Sequence, residues 1–354
     1  MLLISIIIIN NVIEWKHTGM TEEQLISSAE NRTIIQVIQA YLTNMALSRS
    51  ENTARTYRNG LIVFTQVLRE YHIDPEISSI DVLKEDAILW FTRWLKTYSP
   101  TTERLYLTAV HGFYEFLAAE NLAEINLPRI KLLIRQRARR VGQRLPQFPR
   151  DEIDVIIRYA INLAASPSGN DSVRLRALRD RAFLLTLADS GLRVHEACNL
   201  RRGDIDWNEG KAVILGKGDQ QAIVRFSTRA LNALKEYLAA RGSLDGAMGR
   251  PLSSLPLFAR HDKGAGKKIK PITTTTGRNI VAERVTEALG PGAAGKITPH
   301  SFRHYFVTTA LIGSGGNLKL AQELARHKNI SVTQRYAHLT DQELDEGYAE
   351  IFEN

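Results

Sequence analysis

Apolar residues recur at helical spacing through most of this chain and change to a strand-like pattern in one short region. Within residues 21–49, Ile35, Val37, Ile38, Tyr41, Leu42 and Met45 mark one helical face. Ser50-Glu-Asn-Thr53-Ala-Arg55-Thr-Tyr57 opens a second helix, in which Tyr57, Leu61, Phe64 and Leu68 form one buried stripe. A third helix is predicted over about 83–97, around Leu89, Trp90, Phe91, Trp94 and Leu95. A fourth opens at Ser99-Pro-Thr-Thr, with proline in the first turn, and runs through Leu105, Val110, Phe113 and Phe116 to about 120. Short connections between such helices predict a compact all-α domain with its aromatic residues in the core.

Beyond residue 150 the pattern restarts. Asp151 and Glu152 suit the first turn of a helix that continues through Ile153, Val155, Ile156 and Ile161. Residues 165–171 read as a loop. A long helix passes through Leu178, Phe183, Leu184 and Leu187 and breaks at Gly191. Lys211-Ala-Val-Ile-Leu-Gly216 and Ala222-Ile-Val-Arg-Phe-Ser227 flank Lys217-Gly-Asp, which predicts a β-hairpin. Helices are expected again over 228–240, 276–289, 299–313, 317–326 and 331–336, with Gly- and Pro-rich loops over 242–255 and 290–296. An acidic amphipathic helix is expected over 341–352. The fold class expected is mainly α with a small β-hairpin or sheet (α+β). The organisation expected is a tail over 1–28, a helical domain over 29–125, a linker over 126–150 and a second domain over 151–354.

The first residues, Met-Leu-Leu-Ile-Ser-Ile-Ile-Ile-Ile, are too short an apolar run to span a bilayer, and they lack the basic flank and cleavage site of a signal peptide. They read as a strand or a sticky tail. Met20-Thr-Glu-Glu-Gln resembles a helix start, so an alternative translation start at Met20 is a second reading.

At 354 residues the chain has room for two cores, and its 44% hydrophobic and 24% charged shares exclude a disordered chain. The net charge of +8 favours a polyanionic partner, with nucleic acid ahead of an anionic membrane surface. One cysteine, Cys198, excludes an internal disulfide and a cysteine-based zinc site and fits a reducing, cytoplasmic setting. The linker sharpens the charge argument. Arg129, Lys131, Arg135, Arg137, Arg139, Arg140, Arg144 and Arg150 fall within 126–150 without one acidic residue, and Pro128, Pro146 and Pro149 punctuate it. Such a stretch reads as an extended segment laid along a phosphate backbone.

Candidate chemistry lies in four places. Ser190-Gly-Leu-Arg193-Val-His-Glu196 sets an arginine at a helix N-terminus, against the helix dipole, where it could share the site with a phosphate. A structural Arg193–Glu196 pair explains it as well. Gly216-Lys217-Gly218 puts a lysine on the hairpin tip, either simply solvated or entering a groove as a proton donor. Pro299-His300-Ser-Phe-Arg303-His304 puts His300 and Arg303 on one helix face. His300 and His304 have zinc-ligand spacing, but Ser301 stands where a metalloprotease has its Glu, and Arg303 would set a cation beside the metal. His327-Lys-Asn-Ile-Ser-Val-Thr-Gln-Arg-Tyr336-Ala-His338 offers a tyrosine, a poor nucleophile near its ordinary pKa of about 10 unless cations and a proton acceptor assist it. Together these are phosphodiester donors plus one nucleophile, without a carboxylate cluster for magnesium or a Gly-rich phosphate loop. That combination predicts phosphoryl transfer on nucleic acid with no metal and no ATP.

In this order, from about residue 30 to about 340, these motifs resemble the tyrosine recombinase or phage integrase family, of the Xer-like group. The first-arginine motif is matched by Ser190-Gly-Leu-Arg193-Val-His-Glu196, the hairpin lysine by Lys217, and the His-x-x-Arg box by His300-Ser-Phe-Arg303. The second histidine and the nucleophile are matched by His327 and Tyr336. Thr53-x-x-x-Tyr57-x-x-x-Leu61-x-x-Phe64 is similar to the family's SAM-like core-binding domain. The resemblance implies a two-domain DNA clamp that cuts and rejoins duplex DNA through a 3′-phosphotyrosyl bond, without a cofactor, as a tetramer on two sites. It implies catalytic roles for Arg193, Lys217, His300, Arg303, His327 and Tyr336, with Glu196 in support. DNA contacts are expected from Arg135, Arg137, Arg139, Arg140 and Arg144, and from Thr53 and Arg55. Three departures stand out: His195 where the family often has Ser, Gln220 and Gln221 where basic residues are usual, and Arg326 where Gly usually precedes the second histidine. Arg326 adds either a cation or a steric block. The C-terminal helix, with Leu344, Tyr348 and Ile351, docks on a neighbouring protomer or packs on its own domain. A strand-relaxing enzyme of topoisomerase type and a non-cutting DNA-binding protein are the competing readings.

Overall fold

The computed structural model describes residues 3–9, 12–18, 32–139, 149–163, 171–215, 221–262, 264–266 and 268–334. The chain divides into two compact units, Met1–Gln143 and Arg144–Asn354. Leu3–Ile9 and Val12–Thr18 pair as an antiparallel hairpin, so the strand reading of the apolar N-terminus holds for its backbone.

In the first unit, helices Ile34–Ser48, Glu51–Glu70, Ala87–Trp94 and Pro100–Ala119 surround one core. Their starts follow local chemistry. Ser50 and Ser99 accept hydrogen bonds from the backbone N–H groups of Thr53 and Thr102, and Pro100 occupies a first turn where its missing N–H costs nothing. Of the expected stripe, Leu61, Phe64 and Leu68 are buried, whereas Tyr57 at its start is only half-buried. Phe64 meets Phe91 edge to face at 5.2 Å, and Tyr71 stacks on Trp90 at 4.3 Å. Phe91 and Phe113 are core residues as expected, but Trp94 is 38% exposed.

The stretch expected to be extended holds a helix instead. Leu127–Arg137 is α-helical, with Asn126 as its N-cap and Pro128 in the first turn, and it buries Ile130 and Leu133 in the first unit's core. The acids missing from the local sequence come from elsewhere in the fold. Arg129 pairs with Glu85 at 3.3 Å and Asp86 at 2.6 Å. Arg139 grips the buried carboxylate of Glu103 and the carbonyls of Leu95 and Tyr98, while Lys96 reaches Glu103 at 2.6 Å. Burial opposes the charge on Glu103, but these hydrogen bonds win and hold its pKa below the ordinary carboxylate range. A count of charges along the chain cannot see such tertiary pairing.

In the second unit, helices Arg150–Asn162, Asp171–Ser190, Thr228–Ala240, Thr274–Leu289 and Pro299–Gly313 enclose a core that includes Phe183, Phe258 and Phe302. Lys211–Leu215 and Gln221–Arg225 form the expected hairpin, in register from Lys211↔Arg225 to Leu215↔Gln221. Ile205–Asp206 adds a third strand that the pattern is too short to reveal. The sheet alternates as a half-buried surface should, with Ala212, Ile214 and Val224 inward and Val213 and Ile223 outward. The expected loop at 242–255 contains a short helix, Gly242–Gly246, fixed by a buried Arg241–Asp245 ion pair at 2.8 Å. Two shorter helices, Leu318–Ala325 and Ile330–Gln334, follow Pro299–Gly313. The predicted loop at 165–171 and helix at 341–352 lie wholly or almost wholly outside the described residues.

Candidate active site

The site starts from a glycine. Gly191 ends helix Asp171–Ser190 with φ +61°, and a Cβ there would stand 2.4 Å from the Phe306 ring. Glycine therefore allows both the left-handed turn and the close approach of Pro299–Gly313. The turn leaves the Gly191 carbonyl facing two guanidiniums. Arg303 donates to it through Nη1, and Arg326 through Nη2 at 3.2 Å.

Two residues later Arg193 is the N-cap of helix Val194–Asn199. Its position against the dipole is compensated within the first turn. Glu196 Oε2 accepts the Arg193 backbone N–H at 2.8 Å, and Oε1 accepts Nη1 at 2.8 Å. The Glu196 side chain is 2% exposed, whereas that of Arg193 is 43% exposed. The carboxylate anchors the arginine from below and leaves part of the guanidinium open.

Arg303 lies in the helix that begins at Pro299 and is buried. Besides the Gly191 carbonyl it binds the carbonyl of Ala325, the last residue of helix Leu318–Ala325. It thus joins two chain segments that are far apart in sequence. One turn earlier, His300 reaches the surface, and its ring meets His304 edge to face at 4.2 Å between centroids. Partial desolvation, then Arg303 and Arg193, hold His300 below the ordinary imidazole pKa.

Arg326 settles the question its sequence raised. It is the C-cap of Leu318–Ala325 with φ +56° and ψ 44°, a left-handed conformation that glycine adopts without strain. It acts as a cation: Nη2 lies 3.1 Å from Glu196 Oε2 while also binding the Gly191 carbonyl. Glu196 is therefore shared between Arg193 and Arg326. Its burial raises the cost of charge, yet Arg326 and then Arg193 keep its pKa below the ordinary carboxylate range.

His327 follows directly. Its backbone N–H donates to the Gln322 carbonyl at 3.0 Å, and Gln322 Nε2 returns a hydrogen bond to the His327 carbonyl at 2.9 Å. Its Nδ1 lies 3.0 Å from Thr333 Oγ1. Burial, then Arg303, Arg193, His304 and His300, push its pKa down to about 4. The same two guanidiniums act on His300 and His327, so Arg193, His300, Arg303 and His327, from three segments of the chain, form one cluster of two cations and two imidazoles held below their ordinary pKa.

Lys217 and Tyr336 lie outside the described residues, as do Arg140 and Arg144. Among the expected DNA contacts, Arg135 and Arg137 are exposed on helix Leu127–Arg137, while Arg139 is engaged with Glu103. Arg55 is exposed and pairs with Glu51 at 2.8 Å, and Thr53 exchanges a hydroxyl contact with the cap residue Ser50 at 2.9 Å. Two participants were invisible to motif reasoning, the Gly191 carbonyl and Thr333. A backbone oxygen has no letter, and a threonine in a short polar helix carries no distinguishing pattern. Among the described residues no group of three or more His, Cys, Asp or Glu side chains is arranged to hold a metal ion, and no helix is long and apolar enough to cross a membrane.

Comparison with known proteins agrees with this architecture. Residues 157–343 match the phage integrase family, and residues 38–121 match the phage integrase N-terminal SAM-like domain. Tyrosine recombinase XerC of Thermodesulfovibrio yellowstonii is 30% identical over 316 residues, which cover 88% of this chain and 95% of that protein. Tyrosine recombinase XerC of Treponema denticola is 30% identical over 319 residues, covering 88% and 97%. In fold, the chain is similar to the XerH site-specific recombinase in a post-cleavage complex with a palindromic difH substrate. The TM-score is 0.63 at 22% identity, over 85% of this chain and 80% of that one. A lambda integrase dimer bound to a core site gives a TM-score of 0.58 at 18% identity, over 87% and 96%. The helical first unit, the sheet-bearing second unit and the matches along both make this chain a member of the phage integrase family, a tyrosine recombinase.

Proposed function

We propose that the chain cuts and rejoins duplex DNA at a specific site, with Tyr336 as nucleophile and the cluster of Arg193, His300, Arg303 and His327 as its transition-state cradle. The convergence of those four residues carries the reading. Arg193 and Arg303 supply fixed positive charge in a partly desolvated site, where developing phosphorane charge is stabilised most. His300 and His327 are held neutral, the state in which one can accept a proton and the other donate a hydrogen bond.

In this mechanism the Tyr336 oxygen attacks the scissile phosphorus while His300 takes the phenolic proton. The bond from phosphorus to the 5′-oxygen breaks, and Lys217 protonates that oxygen. Arg193, Arg303 and an N–H of His327 bind the non-bridging oxygens. A 5′-hydroxyl from a partner strand then reverses the step, so the phosphotyrosyl bond conserves the energy of the original linkage and no nucleotide cofactor is required. Glu196 sets the position of Arg193. Solved relatives such as XerH and lambda integrase are described as complexes with their DNA sites, which supports duplex DNA as the partner. The working assembly in this reading is a homotetramer on two sites, in the cytoplasm, and the segment holding Leu344, Tyr348 and Ile351 is its candidate docking element.

The test uses duplexes selected from a random library by binding to the Tyr336→Phe protein. A selected site carrying a nick next to the scissile position should trap a covalent protein–DNA adduct that survives SDS and is absent with Tyr336→Phe. Absence of an adduct on every selected site rejects the proposal. Recombinant junctions between two intact sites support recombination, whereas relaxation of supercoiled DNA without junctions assigns the chemistry to strand relaxation.

A further inference from the structure

His327 can bind a phosphate oxygen only if the ring nitrogen that faces it carries a proton. Nδ1 is already committed, 3.0 Å from Thr333 Oγ1. Thr333 is fully buried, and among the described residues its hydroxyl has no other hydrogen-bond partner. A hydroxyl always carries one proton, and a buried proton without an acceptor is costly. The acceptor within reach is His327 Nδ1. If Nδ1 carried the imidazole proton instead, that proton would occupy the hydroxyl oxygen and the hydroxyl's own proton would be orphaned in the interior. Nε2 is the remaining nitrogen, so in the neutral ring it carries the proton.

We propose that Thr333 is a positioning residue that donates to His327 Nδ1 and thereby fixes the Nε2–H tautomer, turning His327 into a hydrogen-bond donor for the reacting phosphate. The inference rests on the role given to His327 above. Three further features of the fold serve the same end. The Gln322 side chain and main chain hold the His327 backbone from both sides, at 2.9 and 3.0 Å. The left-handed turn at Arg326 ends helix Leu318–Ala325 directly before His327. The flanking guanidiniums disfavour the imidazolium, which would carry both protons and make a tautomer selector unnecessary.

The experiment is two-bond proton–nitrogen NMR of the full chain carrying ¹⁵N-histidine, with the His327 signals assigned by their loss in His327→Gln. At neutral pH the wild type should show the Nε2–H pattern. Thr333→Val keeps the shape and removes the hydroxyl, so it should shift His327 towards a tautomer mixture. Thr333→Ser restores the hydroxyl and should return the wild-type pattern. Adduct formation on the nicked duplex should slow about tenfold in Thr333→Val, less than the roughly hundredfold expected for losing a donor outright, and should recover in Thr333→Ser. A pure packing role predicts the opposite order, since valine fills the space and serine leaves a gap. An Nδ1–H pattern in the wild type overturns the proposal, as does an unchanged pattern in Thr333→Val. Absence of adduct in the wild type with the expected tautomer rejects the catalytic reading and leaves the Thr333 assignment standing.

Discussion

At the scale of single residues the site is organised by charges that share partners. Glu196 serves Arg193 and Arg326 together, so the trio retains one net positive charge where an Arg193–Glu196 pair alone would be neutral. Replacing Arg326 by glycine removes left-handed strain of about 1–2 kcal/mol and also a charged hydrogen bond of about 1.5–3 kcal/mol. Arg326→Gly should therefore lower stability by less than about 2 kcal/mol in a denaturant melt, while slowing adduct formation at least about tenfold through loss of charge and alignment. Equal adduct rates in the two proteins would show that Arg193 needs no such support. The histidines give a pH signature. Burial, then neighbouring charges, depress His304 and His327 to about 4, whereas an unfolded histidine titrates near 6.5. The unfolded state thus binds these protons first as pH falls, so their contribution is complete above about pH 6.5 and is lost progressively towards pH 4. A thermal melting series across that window should fall, and His304→Asn should flatten part of the slope.

At the scale of elements, joints between helices matter more than the helices themselves. Gly191 joins Asp171–Ser190 to Val194–Asn199 and supplies the carbonyl that Arg303 and Arg326 both bind. Gly191→Ala combines an unfavourable left-handed backbone with a methyl group driven into Phe306, and should cost about 2–4 kcal/mol. Because Arg303 shares that joint, adduct formation should fall further than stability alone explains, as measured under conditions where both proteins are fully folded.

At the scale of the molecule, the excess of positive charge is not one undivided DNA-binding surface. Part of it is spent on architecture. Arg139 is bound to buried Glu103 and two carbonyls, whereas Arg135 and Arg137 are exposed on the same helical segment. The two classes should separate in binding to a selected duplex at varied salt. Arg135→Ala and Arg137→Ala should each reduce the slope of log affinity against log salt by about one if they touch phosphate, with little change in melting. Arg139→Ala should lower the melting temperature, because it strands part of a buried carboxylate's pairing. A melting temperature unchanged in Arg139→Ala would return that residue to the solvated, DNA-facing class.

What is local or periodic could be read from the chain before folding. Serine caps, the proline first turns and three- and four-residue apolar steps placed most helices to within a few residues, since each is set by neighbours along the chain. The hairpin followed from two β-rich runs around a Gly-containing turn. The order of motifs also pointed to the family that the comparisons bear out. Which charges stay exposed and which are paired was set by folding. The basic stretch at 126–150 had no acid in sequence and acquired Glu85, Asp86 and Glu103 in space, which turned much of a supposed extended linker into a packed helix. Arg326 was an ambiguous letter until its left-handed backbone aimed the guanidinium at Glu196 and the Gly191 carbonyl. Thr333 had no signal at all until folding placed its hydroxyl on His327. Periodicity records which face is buried, but the partner of a polar group is chosen by distance in space, and that is fixed only when separate segments pack together, from Thr333 on His327 six residues away to Arg326 on Glu196 130 residues away.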